Sequence, residues 1–515
     1  MSFDTKNEKA GKTIDIESVP STDANDQDAQ RLEHLGYKQE FKREISLFVL
    51  AGFSFSTMAV LPNWLIGFAG TMDSGGPMSL FWGFIVAAPF LYCIALAMAE
   101  LFSAFPVCGG VYSWSYLLAG PKWGPLMSWV TGYMIVAGLL TANMTVAYSL
   151  SEYIIALSNI LNVHQINNQG ANVGLYIAVL LLGLAYCSLG IKFNGYLNRF
   201  MIFWVLIGTV IVVITLPAMA DTHPSARWVF TEFRNATGWG NDGLTFLLGM
   251  LQAGWTIIGY ENGAHLAEGT VNSEIIGPKG ILISVTGAIA QSLILCVATL
   301  FSIQDVEDLM NSSFPVATLF VRATNTSVGA FFMVILIVAE FGCLANTIVA
   351  LGNLMWAMAR DGALPNHKFW YKLEGFGDNK VPIRIYTLQV VICIVLIMPT
   401  FGSEVYWSAI MSTAVICANI AYGMPYVCRL IWKRKGMVKG PFDLGRYSIP
   451  INIVAVLWIL FFAVILCIPT VNPVNPETMN WSCLMLGAVF IFSLSFWFLG
   501  GKNTFKGPDL NAEAH

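Results

Sequence analysis

The sequence predicts an all-α polytopic membrane protein of about twelve transmembrane helices, and three observations predict it. The 515 residues are 56% hydrophobic and only 11% charged, where a soluble domain carries about a quarter charged residues. Apolar stretches of roughly 20 residues, the length that crosses a bilayer, recur about twelve times between Ser46 and Leu499. The charges cluster between these stretches, and a net charge of −4 gives nucleic acid nothing to bind.

In chain order, residues 1–43 come first. They hold Asp4, Glu8, Asp15, Glu17, Asp23, Asp26 and Asp28 and few apolar residues, which predicts a disordered cytoplasmic tail. The tail lacks the apolar core of a cleavable signal peptide, so insertion falls to the first span. Five spans follow over 44–222, centred near Phe55, Ala88, Val136, Leu181 and Gly208. Five more occupy 240–432, centred near Gly254, Ala290, Ile337, Val391 and Ile416. The last two, near Phe461 and Val489, fall within 448–500, and a cytoplasmic tail closes the chain at 501–515.

The two five-span sets match in their irregularities. Their third members, Pro125–Leu157 and Val328–Ala359, are both long enough to tilt. Their first members are both weakened, one over Gly52–Phe53–Ser54–Phe55–Ser56–Thr57, the other by glycines at 249, 254, 259 and 263. Gly and Ser also permit close helix packing in membranes, the ordinary reading of either stretch by itself. Weak helices at corresponding places in two halves point instead to inverted repeats with a binding site at their interface. Five plus five with two appended helices is the leucine-transporter architecture.

Orientation follows from the basic residues. With the amino terminus inside, roughly 24 of the 27 Lys and Arg fall on the cytoplasmic side. Arg227, Arg234 and Arg322 fall outside, together with sequons at Asn235, Asn311, Asn325 and Asn480. Both termini are therefore expected in the cytoplasm.

Glu261 carries the most chemical information. It sits in the weak sixth span, where a carboxylate is costly unless it faces a cavity, a substrate or a proton path. Trp255, Gly259 and Tyr260 adjoin it, and Gly52, Phe53, Ser54, Phe55 and Ser56 form the matching weak point; these nine are the candidate substrate-binding residues. Trp64 also flanks the first weak point. Aromatics there are ordinarily packing, but beside an acid they can wall an amine by cation–π contact. Glu340 is the other mid-span acid, and with Glu261 it is a candidate for proton coupling or a buried hydrogen-bond acceptor. His265, four residues after Glu261, shares its face if the segment is α-helical. Glu100, Lys122, Arg360 and Asp361 stand at expected cytoplasmic span ends, as anchors or gating pairs. No nucleophile–base motif, phosphate loop, Cys/His metal set or cofactor motif is present, which argues against an enzyme.

Several strings resemble the amino acid–polyamine–organocation superfamily. They are Ser74–Gly75–Gly76–Pro77, Glu100 to Trp114, Gly259–Tyr260–Glu261 with His265 to Glu268, and Ala359–Arg360–Asp361–Gly362–Ala363–Leu364–Pro365. Asn235 to Trp239, Phe301 to Asp305 and Gly440 to Gly445 resemble its fungal amino acid/choline branch, which includes choline and γ-aminobutyrate (GABA) permeases. Many relatives carry two adjacent acids after the sixth span; here Glu268 is followed by Gly269. The resemblance implies a secondary active transporter importing a small amine or amino acid, with the proton as coupling ion and alternating access around spans one, three, six, eight and ten. The first weak point would meet a substrate carboxylate, and Glu261 an ammonium. A nutrient sensor with the same fold and an equilibrative uniporter are the alternatives. The plasma membrane is the expected residence, with vacuolar or other internal membranes as the other setting.

Overall fold

The computed structural model describes residues 45–163, 168–375, 380–401, 405–433, 437–476, 478–505 and 507. The tail expected over 1–43 and most of that over 501–515 lie outside the described residues. Twelve helices are long and apolar enough to cross a membrane: α1 Leu47–Ile66, α2 Gly76–Ala104, α3 Val111–Ile160, α4 Gln169–Cys187, α5 Phe193–Met219, α6 Asp242–Gly269, α7 Ser273–Leu300, α8 Thr326–Arg360, α9 Ile383–Phe401, α10 Tyr406–Trp432, α11 Gly445–Cys467 and α12 Ser482–Thr504. Extended pairing among the described residues is limited to isolated bridges. The protein is thus an all-α, multi-pass membrane protein.

Burial separates two kinds of helix. The most apolar window of α3 is 89% buried and that of α12 only 6%. Since lipid is as apolar as a protein core, Leu484, Ile491, Phe492 and Leu499 on α12 are exposed without penalty, as are Phe203, Ile207 and Val210 on α5. The central helices are α1, α3, α6, α8 and α10, with α3 packed along α8 and α10. The long third helix begins earlier than its apolar run: Val111–Ala119 precedes a break at Gly120, whose φ of 73° and following Pro121 set a corner.

The first break lies beyond the stretch expected to hold it. Leu47–Met58 is helical, so Gly52–Thr57 is not unwound, and the chain breaks at Ala59 with φ 37° and ψ 55°. Pro62 supplies the reason, because it has no N–H for the Met58 carbonyl. The Asn63 amide donates to that carbonyl instead, at 2.8 Å. Thr57 keeps the preceding turn closed, its hydroxyl donating to the Phe53 carbonyl at 2.6 Å.

The second break falls inside the expected stretch. An α-helical half ends at Thr256, Gly259 turns with φ 104°, and Tyr260–Gly269 continues as a 3₁₀ helix. Of the four glycines expected to weaken α6, only Gly259 uses the left-handed region; Gly254 instead admits the Phe462 ring, which a Cβ would meet at 2.4 Å.

Two ends of the bundle carry distinct polar networks. At one, Arg234 pairs with Glu307 at 2.8 Å, and the Asn472 N–H donates to the Thr237 carbonyl at 2.7 Å. These contacts gather the α5–α6, α7–α8 and α11–α12 connections, and with them all four sequons; we call this the outer end, after the expectation from charge. There the Asn235 amide donates to the Trp239 carbonyl and to Asp242, and the Asn480 amide to the carbonyls of Leu466 and Ile468. Asn311 and Asn325 are exposed, as is Asn235, but among the described residues neither side-chain nitrogen is engaged and of their side-chain oxygens that of Asn325 alone is, as a helix cap. We therefore expect Asn→Gln at 311 or 325 to remove a glycan-dependent gel shift, and the same change at 235 or 480 to remove none. A shift lost on changing Asn480 alone would contradict this arrangement.

At the inner end, Glu100 pairs with Arg429 rather than with Lys122, which lies over the Trp123 ring. Arg429 meets Glu100 at 2.5 Å, and Ser448 donates to the same carboxylate at 2.6 Å. The Gly440–Gly445 string seats this network: Gly440 lies against the Ser103 backbone, where a Cβ would meet it at 2.4 Å, and the Phe442 N–H donates to the Ser103 hydroxyl at 2.9 Å.

Candidate functional site

The two breaks meet in the middle of the bundle around a small cavity. Thr57 and Asn63 of α1, Gly138 and Ala142 of α3, Trp255, Gly259, Glu261 and Asn262 of α6, Cys343 and Thr347 of α8, and Ala418 of α10 line it. Its volume is about 20 Å³, room for about one water molecule. A metabolite requires the walls to part.

Polar groups in this wall are under-satisfied. Glu261 is 2% exposed and Asn262 is fully buried. Neither carboxylate oxygen of Glu261, and neither side-chain atom of Asn262, has a hydrogen bond among the described residues. The Tyr422 hydroxyl and the backbone N–H groups of Gly259 and Glu261 approach the carboxylate without completing hydrogen-bond geometry, and Tyr260 packs on Tyr422 with ring centroids 5.6 Å apart. Trp255 is fixed by its indole N–H, which donates to the Asn63 oxygen at 3.1 Å. That bond ties α6 to the residue that patches the α1 break.

Of the nine candidate substrate-binding residues, Trp255, Gly259 and Glu261 line the cavity, and Tyr260 stands behind it. The five from α1 do not. Gly52 packs on Ile202 of α5, Phe53 lines a separate inner cavity, and Phe55 lies near Gly287 of α7. Ser54 packs against Gly263. Ser56 donates to Asn198 of α5 at 3.1 Å and accepts from Asn346 of α8 at 2.7 Å, which makes it a clamp between helices. Glu340 is fully buried, lies outside the cavity lining and acts electrostatically on Cys343 and Tyr153. Asn63, Asn262, Cys343 and Thr347 are polar lining residues that sequence reasoning missed, along with apolar ones such as Gly138 and Ala418. Pro62 was the available signal, since a proline within an apolar span frees a carbonyl four residues earlier.

His265 does not share a face with Glu261, because a 3₁₀ helix repeats every three residues. It faces instead an inner cavity of about 110 Å³, with Nδ1 2.9 Å from the Cys108 carbonyl. Around it the inner end is clamped. Glu268, fully buried, accepts from the Cys108 N–H at 3.3 Å and pairs with Arg360 at 3.4 Å. Arg360 also reaches Asp361 at 3.6 Å, and the Tyr112 hydroxyl donates to Asp361 at 3.0 Å. Arg360 and Asp361 are therefore joined to α6 and to the start of α3, beyond anchoring the end of α8.

Burial pushes the Asp361 carboxyl up to about 6, against the lowering pull of Arg360 and Tyr112. A carboxyl raised in the folded state binds its proton there first, so it adds stability as pH falls through 6 and destabilises at neutral pH. Asp361→Asn should therefore raise the melting temperature of the purified protein at pH 7 more than at pH 5. An equal effect at both values would deny this group a pH-dependent role.

A family model described as amino acid permease matches residues 45–490 of this chain. The chain is 31% identical to "Amino-acid permease BAT1 homolog" of Oryza sativa subsp. japonica, covering 94% of this chain and 96% of that one. It is 30% identical to "Amino-acid permease BAT1" of Arabidopsis thaliana, over 93% and 96%. It is 27% identical to "Amino-acid permease 2" of Neurospora crassa, over 99% and 97%.

Proposed function

Because the chain belongs to the amino acid permease family, we propose that it imports an amino acid or a related small amine by proton-coupled alternating access. The observation that carries this reading is the cluster of four polar atoms on Glu261 and Asn262 that complete no hydrogen bond among the described residues, buried where two broken helices meet. A buried charge without a partner is costly, and an ammonium group arriving there supplies the partner.

The two ends of an amino acid have different hosts. Glu261 receives the ammonium, with Trp255 as an aromatic wall. No Lys or Arg lines the cavity, so the carboxylate is met by the α1 break. Val60 and Leu61 open the outer half of α1, where N–H groups have no intrahelical acceptor. Gly138, Ala142 and Ala418 project little into the cavity and keep space beside the two hosts for GABA or another small amino acid once the walls part. Choline would use the cationic host alone. Similarity at Asn235–Trp239 and Gly440–Gly445 supports placement in the choline and GABA permease branch. Glu261 and Glu340 are the proton-coupling candidates. The plasma membrane, with both termini in the cytoplasm, is the proposed setting.

The test is uptake by reconstituted protein of radiolabelled GABA, competed with other amino acids, polyamines and choline, with and without a protonophore. Proton-dependent accumulation supports the reading. Accumulation indifferent to the protonophore would point to a different coupling ion, downhill equilibration to a uniporter, and binding without flux to a sensor.

A further inference from the structure

A third cavity, of about 120 Å³, lies near the outer end between α1, α3, α8 and α10, bounded by residues 313–317. A wider depression of about 480 Å³ shares Ala156, Phe314 and Ala317 with it, and its lining includes the Asp308–Arg322 ion pair of 2.7 Å. The two form a funnel that narrows toward the bundle.

The inner part of this funnel carries a single charge, Glu152 on α3. Among the described residues no hydrogen bond or ion pair holds its carboxylate. Tyr153, Phe314 and Trp407 supply aromatic walls. The Ser149 hydroxyl, 1% exposed and without a partner, lines the same cavity. Two of the aromatics are held in place: Trp407 packs on Tyr148 with centroids 4.4 Å apart, and the Tyr153 hydroxyl donates to the Pro62 carbonyl at 2.9 Å.

We propose that Glu152, Ser149 and the aromatic walls of this funnel form an outer loading site, which holds the substrate's ammonium group before the central cavity opens. The proposal rests on the transport reading above and adds a second site to it. A lone carboxylate among aromatic faces is the chemistry that selects an organic cation. A single sign of charge in a cleft with low-dielectric walls also raises the local concentration of its counter-ion and speeds capture. The central cavity in this structure has room for about one water molecule, so a substrate that arrives at the outer end meets this funnel before the central walls part. Tyr153 links the two sites mechanically, because its partner Pro62 is the residue that breaks α1.

The experiment is concentration-dependent uptake of radiolabelled GABA, or of the amino acid the competition panel prefers, by the reconstituted full chain. Glu152→Gln should raise KM about tenfold with Vmax unchanged, and should flatten the dependence of KM on ionic strength. Trp407→Leu, which keeps the charge and removes an aromatic wall, should raise KM about threefold and provides an independent reading if Glu152→Gln fails to assemble. A KM within twofold of wild type in both variants overturns the loading site, as does a loss of accumulation in Glu152→Gln at unchanged KM. Glu261→Gln run alongside separates the two ideas. If Glu261→Gln loses uptake while the Glu152 and Trp407 variants are normal, only the loading site falls; normal uptake in Glu261→Gln removes the central site beneath it.

Discussion

Glu261→Gln is expected to abolish concentrative uptake while leaving folding and surface delivery intact. The amide matches the carboxylate in shape and removes only the charge. Neither oxygen completes a hydrogen bond among the described residues, and the oxygen that Gln keeps can still face the Tyr422 hydroxyl and the Gly259 N–H, so the exchange disturbs little internal bonding. If Glu261 neutralises an ammonium out of water, its loss costs about 3 kcal/mol, or roughly 100-fold in affinity. If it carries the coupling proton, the variant binds and exchanges substrate but cannot concentrate it. Equilibrium binding and accumulation, measured on the same purified variant, tell the two roles apart. Wild-type values for both would make Glu261 a structural acceptor and remove the proposed site.

Arg429→Met should be the most damaging change for the fold. It leaves Glu100, 1% exposed, with the Ser448 hydroxyl and the Leu444 N–H as its hydrogen-bond donors among the described residues. Breaking a buried pair by removing one partner costs about 3–5 kcal/mol, because the remaining charge stays buried. Solubilised Arg429→Met should elute as aggregate, whereas the double change Glu100→Gln with Arg429→Met should regain a monodisperse peak, since no charge is then stranded. A single variant that melts at the wild-type temperature would show that Glu100 is solvated or finds another partner.

The sequence by itself determined the class of the protein. Apolar runs of bilayer length leave little choice, because every backbone polar group in lipid must be satisfied within its own helix. The weak point of α6 was legible for the same reason: Gly259 beside Glu261 combines a residue free to turn with a charge that needs a cavity. Family strings such as Gly440–Gly445 were legible as text, but their purpose as the seat of the Glu100–Arg429 network was not.

Tertiary structure decided the rest. The α1 break moved from Gly52–Thr57 to Ala59, because small residues do not unwind a helix that neighbours hold. Ser56 is held by Asn198 and Asn346, and Gly52 admits Ile202, whereas Pro62 removes a hydrogen bond whatever surrounds it. Asn63, Asn262, Cys343 and Thr347 became site residues only when five helices converged on them. Glu100, Arg429, Glu268 and Arg360 found their partners across tens to hundreds of positions, and no local pattern encodes such pairings. Local chemistry fixes where a helix can cross and where it must yield, and packing alone decides which face of it meets which neighbour.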